Sequence, residues 1–558
     1  MKKPSPSWVF GLLLVSAVLV FFLYYPVLFI LQRGFFQEHR ATLALFQLLI
    51  ANKALMAAMG NSFAIGTGVT LASLALALPL AWFSTRYRLP GQGFLHGLMM
   101  LPMILPPFVG AIGMRQFLSR FGTLNILLMK IGVISSPVDW MGSGFLGVVV
   151  LEVLHLFPIV YLNLSAALSG IDPALEEAAW NLGSKRTAFF RRILLPLAAP
   201  GVFAGCAIVF VWSVTDLGTP LILEYRNVAA YQIFSMLSDI NENPMGYALV
   251  VFMLAWVALV YFGSRAFFMS RETSMASKAM RGTERPRLPQ RLRLAVLALF
   301  LGVGFISVIP HLMVVFSAVA ERWFMTALPE RFTLDFFRTA ATHPLAVLSV
   351  RNSLFLSSVT TLLDLGLGLC AAYAVARFRF AGRGLLDFSI MLPLALPGLI
   401  LAFGYVGAYA GTWLDPRQNP FPLLIAAYSV RRLPFMVRSV DAGLRQIHPS
   451  MEEAAFNLGA SPFRTLTRIT GPLLSSSLIA GGILVFSFAM LEVSDSLILA
   501  MKEGAYPLTK AIFALSNRVQ EGFPVASALG VFAMVLLGAS LMAAGKILGK
   551  KMGELFRM

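Results

Sequence analysis

Long apolar runs recur along the whole chain, each near the roughly 17–25 residues that an α-helix needs to cross a bilayer. They fall at 8–31, 62–84, 95–117, 145–168, 200–222 and 246–268, then at 293–318, 352–376, 386–411, 421–440, 474–500 and 523–547. The pattern predicts an all-α integral membrane protein with about twelve transmembrane helices. The first run follows Lys2 and Lys3 as a secretion signal would. Its apolar core exceeds the usual ~7–15 residues and no small-x-small cleavage site follows, so it reads as a retained first span.

The runs repeat. "NSFAIGTGVTLASLALALPLAWFSTRYRLPG" from Asn61 lines up with "NSLFLSSVTTLLDLGLGLCAAYAVARFRFAG" from Asn352, and "LPMILPPFVGA" from Leu101 with "LPLALPGLILA" from Leu392. Further on, "EEAAWNLGSKRTAFFRRILLP" (176–196) and "EEAAFNLGASPFRTLTRITGP" (452–472) are identical at ten of twenty-one positions. The offset is 291 residues in the first pair and 276 in the last, which places about fifteen extra residues in the first half, around 119–145. Six spans per half give both copies the same orientation, so the halves form a parallel repeat with a pseudo-twofold axis along the membrane normal. The expected organisation is a first half at 1–270, a polar linker at 271–292 and a second half at 293–558, with the duplicated polar loops at 170–200 and 446–476.

Composition adds to this. The chain is 58% hydrophobic and 13% charged, against about 45–50% and 25% in soluble domains. Its net charge of +18 would suit nucleic acid. The Lys and Arg residues instead gather on one side of the expected topology, in "STRYRLPGQG", "ARFRFAGRG" and the linker, where Arg265–Arg293 holds eight cations. The opposite loops hold Glu38, Asp139, Glu224, Asp239, Glu242, Glu321, Glu330, Asp335 and Asp415. That asymmetry is the positive-inside rule, with both termini cytoplasmic and anionic lipid as a secondary contact; no nucleic-acid partner is expected. Cys206 and Cys370 lie in apolar runs of different halves and the six histidines form no cluster, so neither a disulfide nor a histidine metal centre is expected.

Each polar loop reads as a short helix. Asp172 caps it, Pro173 takes its first position, and Glu176 and Glu177 sit near its positive end. Gly183 stops it after about two and a half turns, too short to span. In the second copy His448 replaces Asp172, and Ser450 with Glu453 offers a capping box, so a slightly different start is expected. Asn61-Ser62 and Asn352-Ser353 are read as caps opening the second span of each half. An interfacial helix–turn–helix would look the same in one copy; two copies at equivalent places point to docking on two equivalent partner subunits.

Glu177-Ala178-Ala179, three residues, Gly183, nine residues and Ile193-Leu194-Leu195-Pro196 resemble the EAA loop of ABC-importer permeases. Glu453-Ala454-Ala455, Gly459, Ile469 and Pro472 repeat it, with Gly471 where that family shows Leu. The resemblance covers nearly the whole chain. It implies a fused two-permease membrane subunit of the type I importer fold, in the ferric-iron, thiamine and 2-aminoethylphosphonate group, of the bacterial inner membrane. It further implies coupling helices built on Glu176, Glu177, Ala178, Ala179, Asn181 and Gly183, and on Glu452, Glu453, Ala454, Ala455, Asn457 and Gly459. These would dock on a cytoplasmic ATPase dimer that uses ATP and magnesium, while a periplasmic binding protein delivers substrate. The chain carries no G-x-x-x-x-G-K-[ST] phosphate loop, so no cofactor and no catalysis are expected of it alone.

Ionisable residues inside spans are costly and mark functional candidates. Asp216 aligns with Glu492, and Asp495 lies a turn beyond; they either line a cation path or gate, or cap helix ends and pair with an Arg. Pro102 and Pro106 recur as Pro393 and Pro397 in the third span, either as hinges beside a pathway or as packing kinks. Acidic groups favour ferric iron as cargo, with 2-aminoethylphosphonate or thiamine as alternatives. An ion-gradient-driven transporter of two six-helix halves would share the repeat but leaves the duplicated short helix unexplained.

Overall fold

The computed structural model describes residues 6–37, 40–141, 144–240, 242–269, 286–518 and 522–548. Residues 271–285 of the expected linker, Lys2 and Lys3, and the last ten residues lie outside that set.

In chain order the principal helices are α1 (Trp8–Phe35), α2 (Lys53–Arg86), α3 (Gln92–Ile104), α4 (Pro107–Leu118), α5 (Thr123–Lys130), α6 (Phe145–Ser169) and α7 (Pro173–Asn181). Then come α8 (Leu195–Val214), α9 (Gly218–Ile222), α10 (Met245–Met269), α11 (Gln290–Val319), α12 (Pro344–Arg377), α13 (Arg383–Ala395) and α14 (Gly398–Ala408). The chain continues through α15 (Pro420–Leu444), α16 (Pro449–Asn457), α17 (Gly471–Met490), α18 (Ser494–Leu499), α19 (Leu508–Ser516) and α20 (Gly522–Leu548). Two short hairpins, at Phe36–Ala41 and Ala320–Phe332, are the described strands.

Among the described residues nine helices are long and apolar enough to cross a membrane, and two bent pairs bring the number to eleven. The remaining expected span, 421–440, is α15, which carries Arg431, Arg432, Arg438 and Asp441 and so fails on apolarity alone. The third span of each half is broken rather than kinked. Between α13 and α14 the chain turns by 103° at Leu396-Pro397, and α3 and α4 part at the equivalent Leu105-Pro106. The fifth spans also end early, at Val214 and Met490, before the short α9 and α18.

Asn61-Ser62 and Asn352-Ser353 do not open their helices. Asn52 caps α2 nine residues earlier, accepting from the Ala54 and Leu55 amides at 3.1 and 3.2 Å, and Pro344 opens α12. From inside 34-residue helices the two pairs tie down loops distant in sequence instead. Asn61 donates to the Asn227 carbonyl and Ser62 accepts from the Ala229 amide, at 3.0 and 2.9 Å. Asn352 donates to the Gly504 and Tyr506 carbonyls, and Ser353 accepts from the Leu508 amide at 2.7 Å.

The chain forms two compact units that cut across the sequence repeat. One contains 48–232 and 251–333: α2, α6 and α8 pack together, and α11 lies on α3 and α4. The other contains 1–47, 233–250 and 334–555: α12, α15 and α17 pack together, and α1 lies on α14 and α12. Each unit thus holds the first helix of the other sequence half. The contact is built alike in both, on glycines that let backbones approach. A Cβ on Gly113 would stand 1.7 Å from the Pro310 carbonyl oxygen, and one on the equivalent Gly404 3.0 Å from that of Pro26. The extra segment of the first half, around α5, is organised by buried Asn125. Its side chain bonds Val138 through both amide and carbonyl and accepts from Trp140 Nε1 at 2.7 Å.

Candidate functional sites

The two short helices are built alike. Asp172 Oδ1 accepts from the Ala174 amide at 2.9 Å, Pro173 occupies the first position, and α7 runs to Asn181. At its end the Gly183 amide reaches the Trp180 carbonyl and the Ser184 amide the Ala179 carbonyl, with Gly183 at φ 74°. These paired bonds form a Schellman stop, which needs the left-handed conformation glycine adopts freely. In α16 the amides of Gly459 and Ala460 bond Phe456 and Ala455 in the same way, with Gly459 at φ 81°. The expected difference at the start is absent: Pro449 matches Pro173, because His448 Nδ1 accepts from the Ser450 amide at 3.3 Å where Asp172 used its carboxylate.

Beyond each stop lies a five-residue π turn, Phe190–Leu194 and Leu466–Thr470, feeding α8 and α17. Gly471 starts α17 in the register in which Leu195 starts α8, so the departure from the family pattern leaves that boundary unmoved. Ala179 and Ala455 face inward, while Glu177, Ala178, Asn181, Glu453, Ala454 and Asn457 are exposed. Leu182 and Leu458, beside the glycines, are 88% and 89% exposed, large apolar side chains at equivalent tips. The side chain of Glu176 lies outside the described residues.

Glu452, by contrast, is buried. It accepts from Arg377 Nε at 3.1 Å, Thr470 Oγ1 at 3.0 Å and Tyr373 OH at 3.3 Å. Arg377 also donates to the Leu444 and Ile447 carbonyls. One carboxylate therefore ties α16 to the end of α12 and to the π turn. Tyr373 in turn stacks on Trp8 of α1, centroids 4.3 Å apart and planes 9° from parallel.

The acids of the fifth spans differ between halves. Asp216 accepts from the Gly218 and Thr219 amides at 3.1 and 3.0 Å and so caps α9. Glu492 is held by Arg431 Nη1 at 2.6 Å and by Arg432 Nη2, and Asp495 by Arg431 Nη1 at 3.1 Å. Arg431 also lies against the elbow of the broken span, where a Cβ on Gly398 would be 2.1 Å from Nη1. Asp364 accepts from Ser429 one residue position away on α15 from the Tyr428 that bonds Ser496. Both elbows are built from the prolines: Pro102 and Pro393 lie inside α3 and α13, and Pro106 and Pro397 directly precede α4 and α14. Pro106 has no N–H for the Pro102 carbonyl four residues back. His155 Nδ1 donates to that oxygen at 2.8 Å instead.

Sequence reasoning passed over Arg431, Arg432, Arg377, Glu152 and His155. Glu152, buried in α6, accepts from Ser213 of α8. The signal was available for all but Arg377: each is an ionisable residue inside an apolar run, the criterion applied to Asp216 and Glu492. No group of three or more His, Cys, Asp or Glu among the described residues is placed to hold a metal ion.

The model of the family described as binding-protein-dependent transport system inner membrane component matches residues 73–267 and again 365–554. A ferric transport system permease protein of Actinobacillus pleuropneumoniae is 27% identical over 561 aligned residues, covering 97% of this chain and 78% of that protein. An Fe(3+)-transport system permease protein of Haemophilus influenzae is 24% identical, covering 80% and 81%. A spermidine/putrescine transport system permease protein of the same organism is 27% identical across 45% of this chain and 90% of its own length.

Proposed function

The chain belongs to the family of binding-protein-dependent transport system inner membrane components, and we propose that it supplies the whole transmembrane pathway of an ATP-binding-cassette importer for ferric iron. It is a multi-pass protein of the inner membrane and a transporter subunit rather than an enzyme. Two family matches in one polypeptide do the work of two permease subunits.

The observation that carries this reading is the duplicated cap, short helix and glycine stop at α7 and α16, one in each family match. Each presents an exposed carboxylate, Glu177 or Glu453, and an exposed leucine, Leu182 or Leu458, on a rigid unit. Such a unit suits insertion into a groove on a partner, read as helix-in-groove recognition. We place both on the cytoplasmic side, where the basic loops gather, against a dimeric ATPase that binds ATP and magnesium. Closure of that dimer moves the two helices, and the broken third spans open to the other side of the membrane. Glu492 and Asp495 are tied to arginines and Asp216 to backbone amides, which supports a structural role for them over a bare cation path. Iron is cargo, delivered by a periplasmic binding protein; the names of the two long-aligned relatives support that substrate.

The test is co-purification with the ATPase and binding protein in proteoliposomes, with Glu177→Arg and Glu453→Arg. Wild type should take up radiolabelled ferric iron with ATP, and the double variant should lose assembly or stimulated turnover. Intact assembly and turnover in that variant would sink the docking assignment. Uptake of 2-aminoethylphosphonate or thiamine in place of iron would overturn the cargo and keep the importer. Uptake by the chain alone, driven by an ion gradient, would overturn both.

A further inference from the structure

The ground beneath the two short helices differs between the halves. In the second, Trp8 covers Tyr373 and meets Phe378 edge-on, centroids 5.6 Å apart, and Gly11 lies against Cys370. At an offset of 291 the equivalents of Tyr373, Phe378 and Cys370 are Trp82, Tyr87 and Pro79. These three, with Leu168, Trp180 and Leu195, line a cavity of about 580 Å³. That volume lies inside the ~300–1,000 Å³ range of small-molecule sites. Trp180 belongs to α7 and Leu195 opens α8, so an occupant would touch the short helix and the span behind it at once.

The chemistry of the wall and rim is specific. Every lining side chain named is aliphatic or aromatic, which suits hydrocarbon. The rim is cationic. Arg191 and Arg192 are exposed on the π turn whose Phe190 and Leu194 line the cavity. Arginine heads at a membrane boundary pair with phosphate oxygens, often through two bonds.

We propose that this cavity takes one acyl chain of an anionic phospholipid, whose phosphate lies against Arg191 and Arg192. The lipid chain stands where Trp8 stands in the other half and braces α7 as Trp8, through Tyr373 and Glu452, braces α16. This takes from the proposed function only that α7 lies at the cytoplasmic boundary. Seating of the first short helix would then depend on the composition of the inner leaflet, and seating of the second would not.

The experiment is native mass spectrometry of the delipidated full-length chain titrated with phosphatidylglycerol or phosphatidylcholine of matched acyl chains. Wild type should bind one phosphatidylglycerol about tenfold or more tightly than phosphatidylcholine, since each arginine near a headgroup contributes on the order of a few-fold. Leu195→Trp and Ala198→Phe, which fill the cavity from different sides, should each remove that one tight lipid. Arg191→Gln with Arg192→Gln leaves the apolar wall intact and should erase the preference between headgroups. The proposal fails if either filled variant keeps the wild-type melting temperature and the tight lipid. It fails equally if wild type does not distinguish the two lipids, or if millimolar inorganic phosphate displaces the bound one. All of these are read on the chain without its ATPase, so failure of the importer reading registers elsewhere.

Discussion

Replacing Glu452 by alanine should loosen α16 without unfolding the chain. The carboxylate is 6% exposed and takes three charge-assisted bonds, from Arg377, Tyr373 and Thr470. At ~1.5–3 kcal/mol each, the three sum to about 4.5–9 kcal/mol, an upper figure because bonds on one carboxylate are not additive. The independent figure for removing one partner of a buried ion pair is ~3–5 kcal/mol. Arg377 keeps the Leu444 and Ile447 carbonyls, which favours the low end. Taken as ~3 kcal/mol and confined to the seating of one helix, that is about a hundredfold in the seated-to-unseated ratio. Hydrogen–deuterium exchange of peptides covering 449–457 reads this directly. Glu452→Ala should speed amide exchange there about a hundredfold, with exchange in the core of α12 and α15 unchanged. Glu453→Ala, one residue on and exposed, should leave it within a factor of a few, as surface substitutions usually do. Equal protection of α16 in wild type and Glu452→Ala would refute the anchoring role.

Gly183→Ala and Gly459→Ala add a Cβ that meets nothing within 4 Å, so their cost is backbone strain at φ 74° and 81°. That is ~1–2 kcal/mol, milder in the Asn variants, and is measured as a fall in stimulated ATPase rate at an unchanged melting temperature. Arg432→Met strips Glu492 of one partner and should cost ~3–5 kcal/mol in thermal unfolding. Asp216→Ala removes a helix cap and should cost ~1 kcal/mol; the opposite order would overturn the difference drawn between the two acids. Asn352→Leu frees the Gly504 and Tyr506 carbonyls, and limited proteolysis should then cut near 504–508, where wild type resists.

The short helices were legible because their caps and stops are local: Asp172, Pro173 and Gly183 act on residues within one turn. For the same reason His448 was readable as a cap, though its success in holding Pro449 at the equivalent start was not. Asn61 and Asn352 misled because a polar pair at the edge of an apolar run resembles a cap. Their real partners, the Asn227 and Gly504 carbonyls, lie more than 150 residues away in sequence. The prolines announced a bend, but its size depends on who satisfies the freed carbonyl, and His155 comes from another helix. Arg431 and Arg432 could have been flagged, yet only packing reveals that they face Glu492 rather than lipid. Which first helix covers which third span is a choice of tertiary partner, and hydropathy is blind to it.

That exchange of first helices bears on how such a chain could have arisen and how it can be divided. A cut between 270 and 285 separates the two family matches cleanly and looks harmless on paper. Each fragment would nevertheless leave carrying a helix that belongs to the other's packed body, and would lack the one its own Gly113 or Gly404 was shaped to receive. The fragments would be obligate companions, neither soluble in the bilayer as a finished fold. Synthesis as one polypeptide guarantees them in equal number and at once, so no orphan half is left with an open glycine groove.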